Sequence, residues 1–154
     1  MEKPDNAGVR VPPPLYFLSF LILGIWQSST WIRGEIGSPY LLTFGGVIAL
    51  VGAVFLLKFV RKHESSGTNV EPWKPTTALI IDGPHRYSRN PIYIAMAVVY
   101  LGIAIAASSL VAIVLLFFCL LLIRIFVIAK EEAYLEDKFG EEYLQYKEKV
   151  RRWF

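Results

Sequence analysis

The stretch PIYIAMAVVYLGIAIAASSLVAIVLLFFCLLLIRIFVIA, Pro91 to Ala129, decides how the rest of the chain is read. Its 39 residues carry a single charge, Arg124. A helix rising ~1.5 Å per residue crosses the bilayer core in about 20 residues. The run is therefore too long for one span and about right for two. The small, polar cluster Ala106-Ala107-Ser108-Ser109 is its natural break, which predicts spans over 91–106 and 110–129 joined as a tight hairpin. Pro91 suits the first turn of a helix, where its missing N–H is not needed.

Working outward, residues 40–60 form another apolar block in which Gly45, Ala49 and Ala53 recur every fourth residue. Small residues at that spacing let helix backbones approach closely. A further apolar block covers 15–32, with Gln27, Ser28, Ser29 and Thr30 near its end needing partners inside hydrocarbon. With 55% hydrophobic residues and a mean hydropathy of +0.46, the chain is more apolar than soluble domains. Met1 to Pro14 reads as a loose, proline-rich tail, and no small-residue cleavage site clearly follows the apolar block after it.

Lys and Arg counts orient the spans. Residues 58–89 hold six and residues 130–154 another six, whereas the turn at 33–39 holds only Arg33 and the turn at 106–109 none. The long loop, the tail and both termini are thus expected on the cytoplasmic side, in a bacterial inner membrane. The sequence class is an all-α integral membrane protein: one domain over 1–154, four transmembrane helices, and a C-terminal amphipathic cytoplasmic helix. In that tail Leu135, Phe139, Tyr143, Tyr146 and Val150 share one face, Gly140 offers a kink, and terminal bases near Trp153 suit anionic headgroups.

Much chemistry is excluded. Two histidines without companion cysteines give no zinc spacing, lone Cys119 gives no disulfide, and no basic aromatic tract suggests nucleic acid. What remains is a polar block, Gly83-Pro84-His85-Arg86-Tyr87-Ser88-Arg89-Asn90-Pro91-Ile92-Tyr93, at the mouth of the hairpin, with Glu131-Glu132 at its exit on the same side. Arg124, inside the fourth span, reads equally as a functional charge or as a side chain snorkelling to the interface.

That polar block, followed by a hairpin and then by Glu131-Glu132-x-x-Leu135-x-x-x-Phe139-Gly140-x-Glu142-Tyr143-x-x-Tyr146-x-x-x-Val150, resembles the isoprenylcysteine carboxyl methyltransferases and their phospholipid methyltransferase relatives. The resemblance covers about 75–154. It implies S-adenosylmethionine as cofactor, held by segments 77–93 and 131–150: Thr77, Ala78, Leu79 and Ile80 by backbone and apolar contacts, with His85, Asn90, Pro91, Ile92, Tyr93 and Glu131. It implies a lipophilic small-molecule or lipid acceptor bearing a carboxylate, amine or thiol. Arg124 or Arg89 would orient a carboxylate, and Glu132 or His85 would take a proton from an amine or thiol. Asn90 stands where the eukaryotic carboxyl methyltransferases have His, Ala95 where a glycine is common, and Val127 where an arginine lies near the substrate. Two other readings stay open: a non-catalytic membrane protein binding anionic lipid or a partner, and a membrane reductase of the sterol-reductase type.

Overall fold

The computed structural model describes residues 5–31 and 38–153, with the side chains of residues 29–31 outside that description. The described residues contain helices and no strand. Helix α1 runs Pro13–Trp31, α2 Pro39–Ser65, α3 Pro91–Ala106, α4 Leu110–Ile123, α5 Ala129–Phe139 and α6 Glu141–Lys149. Arg124–Ile128 is a π turn, so Leu110–Phe139 is one continuous rod. Two of these helices, Pro39–Ser65 and Leu110–Phe139, are long and apolar enough to cross a membrane; α3 is apolar but shorter. The turn at 33–37 with Arg33, the residue Ile32, Met1–Pro4 and Phe154 lie outside the described residues.

The hairpin break falls at the small cluster. Ser109 caps α4 by accepting from the Ala112 N–H at 3.0 Å, and its hydroxyl donates to the Gly24 carbonyl at 3.0 Å. The Ser28 hydroxyl lies 2.6 Å from it, so polar groups of α1 find their partner across the bundle. α2 packs on α3, α1 on α4, and α3 also meets α1 and α4. A Cβ on Gly45 or Gly102 would run into the facing backbone of α3 or α2. Gly24 stands equally close to α4, where a Cβ would lie 2.5 Å from the Ala112 Cα. The core of this bundle includes Phe17, Tyr100, Leu116, Cys119 and Ile123, so Cys119 is a packing residue rather than a lipid-facing one.

Two expectations need correction. The N-terminal stretch is not loose from Asp5 onward. Asp5 accepts from Tyr134 at 2.7 Å and from Lys138 at 2.6 Å, the Ala7 N–H donates to the Pro72 carbonyl, and Val9 joins the core. Nor is the tail a separate interfacial helix. The rod carries straight through the π turn into α5, and the face made by Leu135, Phe139, Tyr143, Tyr146 and Val150 is covered by Leu79 of the long loop. The kink at Gly140 is present. Its backbone, φ 53° and ψ −127°, is open to glycine and strained for other residues.

Candidate functional site

At one end of the bundle, the start of α3, the start of α5 and the face of α6 enclose a cavity of about 210 Å³, flanked by loop residues 68–80. Polar residues reach this depth because α3 begins there. Asn90 ends the loop in a non-helical conformation and Pro91 opens the helix, which turns Tyr93 inward. The π turn works from the other side. One extra residue per turn buries Val127 and Ile128 and leaves Glu131 and Glu132 lining the cavity. π turns are inserted at such sites more often than elsewhere.

The two carboxylates differ sharply. Glu131 accepts one hydrogen bond, from the Tyr93 hydroxyl at 2.7 Å. Burial pushes its pKa up to about 7, against the lowering effect of Tyr93 and with a smaller push from Glu132. Glu132 is held by two guanidiniums: Arg89 Nη2 at 2.8 Å, and Arg152 through Nε at 2.9 Å and Nη2 at 2.6 Å. Burial alone would raise its pKa, but Arg152 and Arg89 outweigh it and leave the group below the usual carboxylate range. Glu132 is therefore an anchor for charge and a poor proton acceptor.

Around this pair the chain end is sewn to the polar block. The Arg89 N–H donates to the Arg151 carbonyl, and its Nη1 to the carbonyls of Lys147 and Val150. Ser88 and Asn90 both donate to the Arg152 carbonyl, at 3.1 and 2.9 Å. Tyr146 donates to the His85 carbonyl at 2.8 Å. Among the described residues, the buried nitrogens His85 Nδ1 and Arg89 Nε are left without partners. The His85 ring lies 5.2 Å from that of His63, and burial, reinforced by His63, takes its pKa down to about 4. At neutral pH it is an uncharged ring with an unused nitrogen.

Of the residues singled out from the sequence, Ala78, Leu79, Ile80, His85, Arg89, Asn90, Pro91, Ile92, Tyr93, Glu131 and Glu132 all line this cavity. Thr77 does not: it is exposed, and its hydroxyl donates to the Gly67 carbonyl at 2.6 Å. Arg124 also stands apart, on a second groove that shares no lining residue with the first. The π turn separates its direction from that of the carboxylates. Arg89 Nη1 donates to two carbonyls and Nη2 to Glu132, so the guanidinium and the Glu132 carboxylate already spend most of their hydrogen bonds on each other and on the chain end. The sequence reading gave no site role to Arg152 or His63, and placed Tyr143 and Tyr146 in the cofactor segment 131–150 without giving either a role of its own. A buried Glu demands a cationic partner, and the basic cluster at the chain end was the available signal for Arg152.

Residues 40–142 of this chain match the phospholipid methyltransferase family. A Haemophilus influenzae protein described only as an uncharacterized protein is 65% identical over 34 residues, 22% of this chain. The chain spans about half the length of that relative, 54%. No solved structure matches.

Proposed function

The chain belongs to the phospholipid methyltransferase family, and from that premise we propose that it transfers a methyl group from S-adenosylmethionine to a lipid-borne acceptor at a membrane surface. Four crossings, with the cavity and both termini cytoplasmic, complete the reading. The observation that carries it is Glu131: a carboxylate at the wall of the cavity with, among the described residues, one hydrogen bond and no cationic partner. Such a group is completed by a cation.

The residues present fit the cofactor's chemistry. Leu79, Ile80, Ile92 and Met96 offer apolar surface for an aromatic ring, Glu131 answers an ammonium or sulfonium charge, and the unused Nδ1 of His85 and Nε of Arg89 remain for polar groups. Bound there, S-adenosylmethionine would supply an electrophilic methyl on a sulfonium. The protein's work is then mostly positioning in a site that excludes water. Tyr93 fixes the Glu131 carboxylate, and Arg89 and Arg152 hold Glu132 and keep the tail closed over the cavity. With its pKa near neutrality, Glu131 is also the best-placed group to take a proton from an amine or thiol acceptor. Neutral His85, its pKa taken down to about 4, is a poor proton acceptor and suits a hydrogen-bonding role instead.

Calorimetry of the purified protein in detergent tests this reading. S-adenosylmethionine should bind saturably to the parent, and Glu131→Ala or Tyr93→Ala should weaken it by an order of magnitude or more. Absence of binding by the parent sinks the enzyme; undiminished binding by both variants sinks the site. Labelled methyl transfer to a total lipid extract then identifies the acceptor class.

A further inference from the structure

On another face of α3 from the cavity, Ile94, Ala97 and Leu101 meet Leu116, Leu120 and Leu121 of α4 along a groove of about 440 Å³. It is a separate space: the cavity takes Tyr93 and Met96 from α3, the groove Ile94 and Ala97. Phe117 and Leu121 leave 66% and 40% of their surface exposed there, which suits hydrocarbon and not water. One end differs. Arg124 and Trp153 close it, and among the described residues no carboxylate side chain lines the groove. Arg124 is exposed, and among the described residues its guanidinium has no hydrogen bond or ion pair.

We propose that this groove is a binding site for an acidic phospholipid, one acyl chain lying between α3 and α4 and the headgroup phosphate on Arg124. The proposal rests on the membrane part of the proposed function and not on methyl transfer. Arg124 stands six residues before Lys130, where the rod turns polar, about 9 Å of helix and within a long side chain's reach of the headgroup layer. A guanidinium there matches a phosphate by paired hydrogen bonds. Trp153 supplies the amphipathic ring that favours the membrane–water boundary. A headgroup with net negative charge fits better than a zwitterion, because Arg124 is the one charged side chain among the described lining residues and none of them is an acid that would answer an ammonium. Since the groove shares no residue with the cavity, this lipid is a second one, held beside the acceptor.

Native mass spectrometry of the detergent-purified full chain, titrated with phosphatidylglycerol, tests the assignment. The parent should carry one tight phosphatidylglycerol adduct that phosphatidylcholine does not displace. Arg124→Gln should weaken it about tenfold or more, as loss of a charge-assisted pair predicts, and Arg124→Lys should recover most of it. S-adenosylmethionine binding by Arg124→Gln should equal that of the parent, which shows the variant folded. Equal adducts in Arg124→Gln and parent, or equal retention of phosphatidylcholine, overturns the proposal. So does a dimer whose formation excludes the lipid, which would give the groove to a second copy. A parent that takes phosphatidylglycerol in this pattern but no S-adenosylmethionine would defeat the enzyme reading alone.

Discussion

Glu131 and Glu132 are neighbours in the chain with opposite electrostatic fates. Glu132 spends its charge on Arg89 and Arg152 and is held ionised; Glu131 faces the cavity and titrates near neutrality. The sign of the consequence follows from linkage. A carboxyl whose folded pKa is raised to about 7 favours the folded state while protonated, and that advantage is lost as pH rises through 7. Glu131→Gln removes the ionisation. In thermal melts its advantage over the parent should therefore widen from about pH 5 to pH 8, reaching on the order of 3 kcal/mol; a constant gap would contradict the shift. Binding of a cation runs the other way. Only ionised Glu131 answers the charge, so S-adenosylmethionine affinity should rise with pH through the same range in calorimetry. Tyr93→Phe removes the hydrogen bond that favours the anion, and the midpoint of that rise should move upward by up to about one unit. Eleven residues of the cavity wall were legible beforehand because family motifs name residue types. The division of labour between the two acids was not, because it depends on Arg152 returning from the far end of the chain.

The elements follow from local rules where local rules apply. The hairpin turns at the small cluster 106–109, Pro91 opens α3, and small residues on α2 let a facing helix approach, all readable from spacing; the Ser109 cap and the choice of α3 as that helix were not. What escaped was the π turn at Arg124–Ile128, which has no proline or glycine to announce it, and the docking of Asp5 on Tyr134 and Lys138. Both depend on contacts between residues far apart in sequence. Gly140 is the local signal with the sharpest energetic meaning. An added Cβ would meet nothing within 4 Å, so the penalty for Gly140→Ala is purely one of backbone conformation. The expected loss is about 1–3 kcal/mol in reversible unfolding. It should also loosen α6 over Leu79, raising amide exchange along Tyr143 to Tyr146. An Ala variant as stable as the parent would mean that the joint between α5 and α6 had relaxed elsewhere.

The whole molecule is closed by its two ends. The N-terminal segment crosses the loop at Pro72, and the chain end is stitched to Arg89 and Asn90. Removing one partner of a buried ion pair strands the other charge, so Arg89→Ala should destabilise by about 3–5 kcal/mol in unfolding measurements. Arg152→Ala should cost less, since that side chain is 32% exposed against 8% for Arg89. Topology is the larger wager. Two helices are long and apolar enough to cross; the four-crossing reading adds α1 and α3 from the apolar blocks at 15–32 and 91–106, and the charge asymmetry of the connections orients them. Cysteine labelling separates the possibilities with little background, because Cys119 is fully buried. A membrane-impermeant maleimide added to intact cells should modify Tyr40→Cys, at the start of α2 and 85% exposed, and spare Arg10→Cys and Thr77→Cys. In inverted vesicles the pattern should reverse. If Arg10→Cys labelled from outside together with Tyr40→Cys, α1 would not cross. If Thr77→Cys did so, the cavity would face away from the cytoplasmic cofactor pool, and the proposed chemistry would lose its donor.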